Sequence, residues 1–371
     1  MIGEAVPPQS VLDAVRAPLA PGAEPLDPPV LQPLGLLLDL LGEALRARLC
    51  VVQGEGVEDA CLRPDFTVAV AREHLRRGAP AGRYIYEGPA FRAPPAGSVR
   101  PQEFLQLGCE LIGGDGGDRD EVAIASAAVM AARAGGREDL TLLMGDLALF
   151  DAFCEGVGVP PPARLRLRQR LGSPAAFNAE LQREPARPGG SGQLADLLSR
   201  LPPEAAAGVL EEIWTLAGVV PVGGRTPAEI ARRLADRGDP AVLGDAQRGL
   251  IERFVAIEGE PLEAIEAAVV LARRAGLGLD AHFEGWARRV AALAAAGVEL
   301  SAQRLCFGFG RPFGYYDGFL FEVRSSALPS DAPVAAGGRY DGLLGRLQPG
   351  ADATAVGCMV RPGRAWSGAP A

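Results

Sequence analysis

The sequence predicts an α+β protein: a mainly antiparallel sheet of about six or seven strands, flanked by helices and interrupted by a helical domain. Three observations predict it. Two strand-like runs, residues 83–92 and 103–112, flank a loop marked by Pro94, Pro95, Gly97 and Pro101. That loop is longer than a tight hairpin needs. From 147 to about 260 the pattern changes to amphipathic helices broken by Pro160-Pro161-Pro162, residues 185–192, Pro202-Pro203 and residues 221–224. Strand-type runs then return at 304–309, 315–323 and 335–342. The chain has 371 residues, enough for two domains.

The elements follow in order. Residues 1–28, rich in Pro and Ala, read as an irregular lead-in with one turn of helix over 10–16. Leu34, Leu37, Leu38, Leu41 and Leu45 give residues 31–49 a helical period. Residues 50–52 and 60–62 suggest a hairpin across Gly54 and Gly56. Asp65 and Thr67 flank the start of a helix to about Arg77, where Asp65 suits an N-cap. Within 103–112, strand alternation puts Gln106 and Glu110 on one face, with Arg92 entering from the partner strand. That face is either a polar floor or a solvated surface. Residues 118–134 form a helix, with Asp118, Asp120 and Glu121 at its positive end and Gly135-Gly136 after it. A strand follows at 140–144.

The stretches 194–201 and 204–216 carry core-type helical stripes, and Trp214 reads as core. Helices at 261–275 and 282–296 are closed by Gly276 and Gly297. His282 reads as a surface or cap residue. The expected division is a lead-in over 1–28, a core in two parts over 29–146 and 261–371, and a helical insertion over 147–260.

Composition narrows the chemistry. The net charge of −9 argues against a general nucleic-acid binder, which needs a basic footprint. There is no lysine, which excludes a lysine Schiff base and a P-loop lysine. Two histidines, His74 and His282, leave little room for histidine-based metal or triad chemistry. Six scattered cysteines without a CxxC read as small buried residues. With no continuous apolar core in residues 1–19 and no apolar run long enough to span a bilayer, a soluble cytoplasmic protein without a cofactor is expected.

Several segments resemble class II aminoacyl-tRNA synthetases in the histidyl-tRNA synthetase form. Phe91-Arg92 followed by FLQLGCE at 104–110 resembles motif 2 of that family, FR…FxQLGCE. LRPDFT at 62–67 is similar to its LRPEGT. RPFGYY at 311–316 and AGGRYDGL at 336–343 resemble its RGLDYY and AGGRYDGL segments. The resemblance implies a synthetase-like antiparallel sheet and a pocket for histidine. Asp65 and Thr67 would hold the amino group, Arg311 the carboxylate, and Gln106 the amino acid backbone. Glu110, Tyr316 and Tyr340 would line the imidazole pocket, and Arg92 is the motif 2 arginine. The donor set suits the ligand chemically: a carboxylate for the ammonium, an arginine for the carboxylate, a carboxyl or phenol for the ring.

The same comparison shows departures. Pro94 and Pro95 stand where the family carries groups that serve ATP and the tRNA acceptor end, and proline brings no side-chain hydrogen-bonding group. AVGCMVRPGR at 355–364 resembles motif 3, AVGFxxGxxR, with Arg361 replacing its second glycine and Arg364 retained. Seven residues remain after Arg364, so no anticodon-binding domain is expected. A retained amino acid pocket, altered nucleotide groups and no tRNA module together resemble the regulatory subunits of ATP phosphoribosyltransferase. That resemblance implies a non-catalytic chain that joins a short catalytic subunit in histidine biosynthesis and makes it active and responsive to histidine. It leaves open whether histidine acts at this pocket or on the partner. A dimer through residues 29–49 is implied as well. The alternative is a short histidyl-tRNA synthetase-like enzyme that activates an amino acid, since Arg92, Arg311 and Arg364 are all present.

Overall fold

The computed structural model describes residues 4–41, 43–54, 59–94, 98, 100–183, 197–198, 201–217, 226–228, 231 and 243–368. The breaks expected at 185–192 and 221–224, and most of the helix expected at 194–201, lie outside the described residues. The chain divides into two compact units, Met1–Phe153 with Glu252–Ala371, and Cys154–Ile251. The second falls inside the expected 147–260. Residues 147–153 go with the first unit because Leu147, Phe150 and Phe153 are buried there, Phe153 stacking on Phe254 at 4.0 Å.

The strands are β1 (Glu24–Pro25), β2 (Leu31–Pro33), β3 (Val51–Val52), β4 (Ala60–Leu62), β5 (Gly82–Phe91), β6 (Glu103–Ile112) and β7 (Leu140–Asp146). They continue with β8 (Glu258–Gly259), β9 (Gln303–Cys306), β10 (Phe319–Ser325), β11 (Ala335–Arg339) and β12 (Ala355–Val360). Nine of them form one sheet in the order β1-β5-β6-β12-β11-β10-β7-β9-β8. From β5 to β7 every neighbour is antiparallel. β1 on β5 and β9 on β7 are parallel, so the sheet is mixed. The expected six or seven strands become nine because β1 and β8 are two residues each, too short to carry a period. In β10 only Arg324 is more than slightly exposed, because both faces are covered.

The long helix Asp118–Ala134 covers one face with small residues, among them Ala125, Ala128, Ala131 and Ala132, all buried. Its Glu121 carboxylate accepts from Arg289 Nε (2.7 Å) and Arg339 Nε (2.6 Å), tying it to the helix Asp280–Ala295 and to the end of β11. The helix expected over 31–49 begins as strand β2, and helix occupies Leu34–Leu41 and Glu43–Arg46. Pro33 explains the change: the residue before a proline is driven out of helical geometry. β2, β4 and β3 form a separate three-stranded sheet. In the lead-in, Gln9–Arg16 makes two turns of helix rather than one. Gly276 and Gly297 adopt φ of 72° and 92° after their helices, the left-handed cap their positions suggested.

In the second unit, helices include Pro161–Arg168, Pro174–Leu181 and Pro203–Ala217. Leu198, Ala206, Leu210 and Ala231 pack together, and Trp214 is half-buried rather than core. Of the cysteines, Cys61, Cys109, Cys154 and Cys358 are buried, whereas Cys50 and Cys306 are half-buried. Among the described residues no helix is long and apolar enough to cross a membrane.

Candidate functional site

The site lies on the sheet face formed by β5, β6 and β12, under the start of the helix Thr67–Arg77. Alternation along β6 points Gln106 and Glu110 to this face, and both are 1% exposed. The solvated alternative for these two side chains is therefore overturned. β12 pairs Gly357 with Glu110 and Met359 with Gly108. A Cβ on Gly357 would overlap Glu110 Oε2, so only glycine lets this carboxyl lie across the neighbouring strand.

Glu110 is held by hydroxyls. Thr67 Oγ1 donates to its Oε1 at 2.8 Å and the Tyr340 hydroxyl to its Oε2 at 2.6 Å. Burial pushes the Glu110 pKa up to about 8; the two hydroxyl contacts pull it the other way, and the nearby Asp65 charge adds to the rise. Asp65 is also raised by burial, against the pull of Arg92, the Tyr315 hydroxyl, the Val68 amide and Arg311. The N-cap of the helix is Phe66 rather than the expected Asp65; the Asp65 carboxyl is instead stabilised by the Val68 amide, and its Oδ2 accepts from Tyr315 at 3.0 Å.

Two arginines enclose the other side. Arg92 Nε donates to Pro64 O at 2.7 Å, and its guanidinium sits about equally between the rings of Phe104 (5.1 Å) and Phe313 (5.0 Å). Burial lowers its pKa to about 10; Asp65 opposes this, and Arg48 and Arg311 add to it. Arg311 Nη1 donates to Glu322 Oε1 at 2.8 Å. Tyr316 stands edge-on to Tyr340, with ring centroids 6.5 Å apart, and burial pushes its pKa to about 12. Tyr315 and Tyr316 lie in a turn rather than at the expected start of a strand, which begins at Phe319. The turn is fixed by Asp317, whose amide donates to Arg339 O and whose carboxylate accepts from the amides of Asp341 and Gly342.

A small cavity opens among these groups. Asp65, Thr67, Arg92, Gln106, Arg311 and Tyr316 line it. Glu110 and Tyr340 stand behind Thr67 as a second layer, joined to it through the Glu110 carboxyl. All eight residues singled out from the sequence thus gather at one place. Two polar atoms at the cavity have no protein partner among the described residues: the acceptor Gln106 Oε1 and the donor Arg311 Nε. Tyr315 was missed by the sequence reading, which took only the second tyrosine of the pair. The signal was its position beside Tyr316 in the same aromatic run. His74, the one buried histidine, is bonded to Tyr84 at 2.9 Å in the core and takes no part.

A family model described as histidyl-tRNA synthetase matches residues 13–219. The ATP phosphoribosyltransferase regulatory subunit of Brucella canis is 33% identical over 355 residues, 94% of this chain and 93% of that protein. The protein of the same name from Brucella abortus (strain 2308) matches to the same extent, 33% over 355 residues. Among solved structures, a Bacillus halodurans protein described as an ATP phosphoribosyltransferase regulatory subunit/histidyl-tRNA synthetase superposes with a TM-score of 0.67 at 19% identity, covering 98% of this chain and 79% of that one. A histidine–tRNA ligase subunit from Alicyclobacillus acidocaldarius superposes with a TM-score of 0.56 at 19% identity, covering 99% and 98%. The two structures share the synthetase-like fold, and the Brucella proteins match nearly end to end. The chain belongs to the family of ATP phosphoribosyltransferase regulatory subunits, built on the histidyl-tRNA synthetase fold.

Proposed function

We propose that this chain is a non-catalytic cytoplasmic subunit that a short catalytic ATP phosphoribosyltransferase requires for activity, and that it binds free histidine to give feedback control of the first step of histidine biosynthesis. The observation that carries the histidine part is the pair of buried, unpartnered atoms, Gln106 Oε1 and Arg311 Nε, at one cavity beside Asp65. A buried polar atom without a partner is costly. An α-amino acid brings an ammonium for the acceptor and a carboxylate for the donor. Tyr316, on the cavity, offers the polar side for an imidazole, with Glu110 and Tyr340 behind Thr67 as its second layer. The changed nucleotide-handling positions, Pro94 and Arg361, support a regulatory rather than a catalytic chain. Self-association through the region of residues 29–49 belongs to the same proposal.

The test is ATP phosphoribosyltransferase activity of the short catalytic subunit, with and without this chain, across a histidine titration. Activity that needs both proteins and falls with histidine is expected. Glu110→Ala is expected to abolish the fall while activation survives, which places the sensor at this pocket; inhibition that persists in this variant moves it to the partner. ATP–pyrophosphate exchange dependent on histidine would instead support the synthetase-like enzyme.

A further inference from the structure

One buried phenol stands beside the cavity without lining it. Tyr86 lies on β5, is 2% exposed, and pairs with Gly108 of β6. Strand pairing puts it on the sheet face that carries Gln106 and Glu110. Its ring stacks on that of Phe66, which stands between Asp65 and Thr67 in sequence, with centroids 4.3 Å apart and planes 6° from parallel. Its hydroxyl crosses Gly108 to reach β12: a Cβ on Gly108 would overlap both the Tyr86 hydroxyl and Cys358 O. The glycine of the QLGCE segment therefore makes room for this hydroxyl.

The hydroxyl bridges two groups. It donates to Cys358 O at 3.3 Å, and Gln106 Nε2 donates to it at 3.3 Å. The direction of both bonds follows from the groups themselves. A backbone carbonyl can only accept, so the single phenol proton goes to Cys358 O. Burial, with the Glu110 charge added, pushes the Tyr86 pKa well above its ordinary value, so that proton is kept. Towards Gln106 the phenol oxygen can then only accept, and it must meet the nitrogen of the amide rather than its oxygen. Turned this way, the carboxamide keeps Nε2 occupied and leaves Oε1 without a protein partner among the described residues. The opposite turn would present N–H donors to a cavity already lined by Arg92 and Arg311, where a ligand ammonium would find no acceptor on Gln106.

We propose that Tyr86 is a positioning residue for ligand binding: its hydroxyl fixes the Gln106 carboxamide with the carbonyl oxygen towards the cavity, which selects ligands that carry an ammonium group there. The identity of that ligand rests on the histidine reading; the orientation of Gln106 does not.

Tyr86→Phe keeps the ring on Phe66 and removes only the hydroxyl. The first measurement is calorimetric titration of the full chain with histidine and with imidazolepropionate, which is histidine without its ammonium. The ratio of the two affinities is expected to fall about tenfold in Tyr86→Phe, as when a hydrogen bond to a charged group is lost. In a Gln106→Met background, Tyr86→Phe is expected to leave the ratio unchanged, because the hydroxyl acts through the amide. A loss shared equally by both ligands, or one that persists without Gln106, overturns the proposal: the hydroxyl then serves packing alone. The second measurement follows the side-chain amide protons of Gln106 by magnetic resonance in the ligand-free chain, with isotopically labelled glutamine. They are expected to exchange with solvent about tenfold faster in Tyr86→Phe than in wild type; equal rates overturn the proposal. Failure of histidine to bind the wild type would sink the histidine reading alone, and the exchange rates then decide the part played by Tyr86.

Discussion

Glu110 is a buried carboxyl whose hydrogen-bond partners are hydroxyls, and this sets its dependence on pH. Its pKa in the folded chain, about 8, stands above the ordinary 4.5. At pH below the ordinary value it is protonated in both states and burial costs little. As pH rises towards 8 the unfolded chain releases a proton that the folded chain keeps, so stability falls through that window and levels off above it. Glu110→Gln should remove this share of the fall. Urea unfolding of wild type and variant at about pH 5 and about pH 8 checks it: the wild type should lose more stability than the variant. Parallel losses would mean that Glu110 is not the titrating group. Tyr340→Phe takes away one of the two hydroxyls and should cost about 1–3 kcal/mol, as expected when a buried acid loses a partner. Equilibrium unfolding at neutral pH measures it, and an unchanged midpoint would show that the Tyr340 contact contributes nothing. These partnerships were only partly legible. Glu110, Thr67 and Tyr340 could be named from their segments, but not that Thr67 bonds Glu110 rather than facing the cavity alone. The pair is 43 positions apart and its geometry depends on how the helix sits over β6.

At the scale of elements, the central hairpin of β5 and β6 was readable because its signals are local: strand-type residues on both sides of a proline- and glycine-rich loop. Pro89 within β5 was no obstacle. β1 pairs only with residues 84 and 85, so Pro89 sits on an open edge, where its carbonyl accepts from Arg63 Nε at 2.9 Å. The helix Asp118–Ala134 was readable for the same reason, with acids at its start and glycines after it. The two-residue strands were not, because they exist through their neighbours. The strand expected from Tyr315 failed because side-chain and backbone bonds to Asp317 hold that segment in a turn. β12 carries the element-scale prediction. Gly357 lies opposite Glu110 with no room for a Cβ. Gly357→Ala should therefore push the Glu110 side chain away from Thr67 and Tyr340, at about 1–3 kcal/mol or more for overpacking. It should weaken histidine binding together with stability. Thermal unfolding and a histidine titration on the same variant distinguish the outcomes: loss of stability with full binding would place the ligand away from Glu110, and no loss of either would mean the strands part easily.

For the whole molecule, what the sequence conceals is long-range closure. Residue 4 meets residues 361 and 364, and residue 65 meets residue 315, contacts that no periodicity announces. These closures matter because control of a partner enzyme is a property of complete states rather than of single contacts. A ligand can shift activity only by binding the active and inactive arrangements with different affinity. If histidine bound here weakens the active complex, linkage requires the active complex to weaken histidine by the same factor, and the coupling is reciprocal whatever path carries it. Couplings of this kind are commonly of order 1–3 kcal/mol, about 5–150-fold in affinity. The dissociation constant of histidine should therefore rise by a factor in that range when this chain is titrated in the presence of saturating catalytic subunit and its substrates, compared with the chain alone. The rise should vanish with Arg311→Met, which takes the guanidinium from the cavity. If histidine binds equally well with and without the partner while the enzyme is still inhibited, the inhibition does not run through this chain, and the catalytic subunit must hold the histidine that controls it.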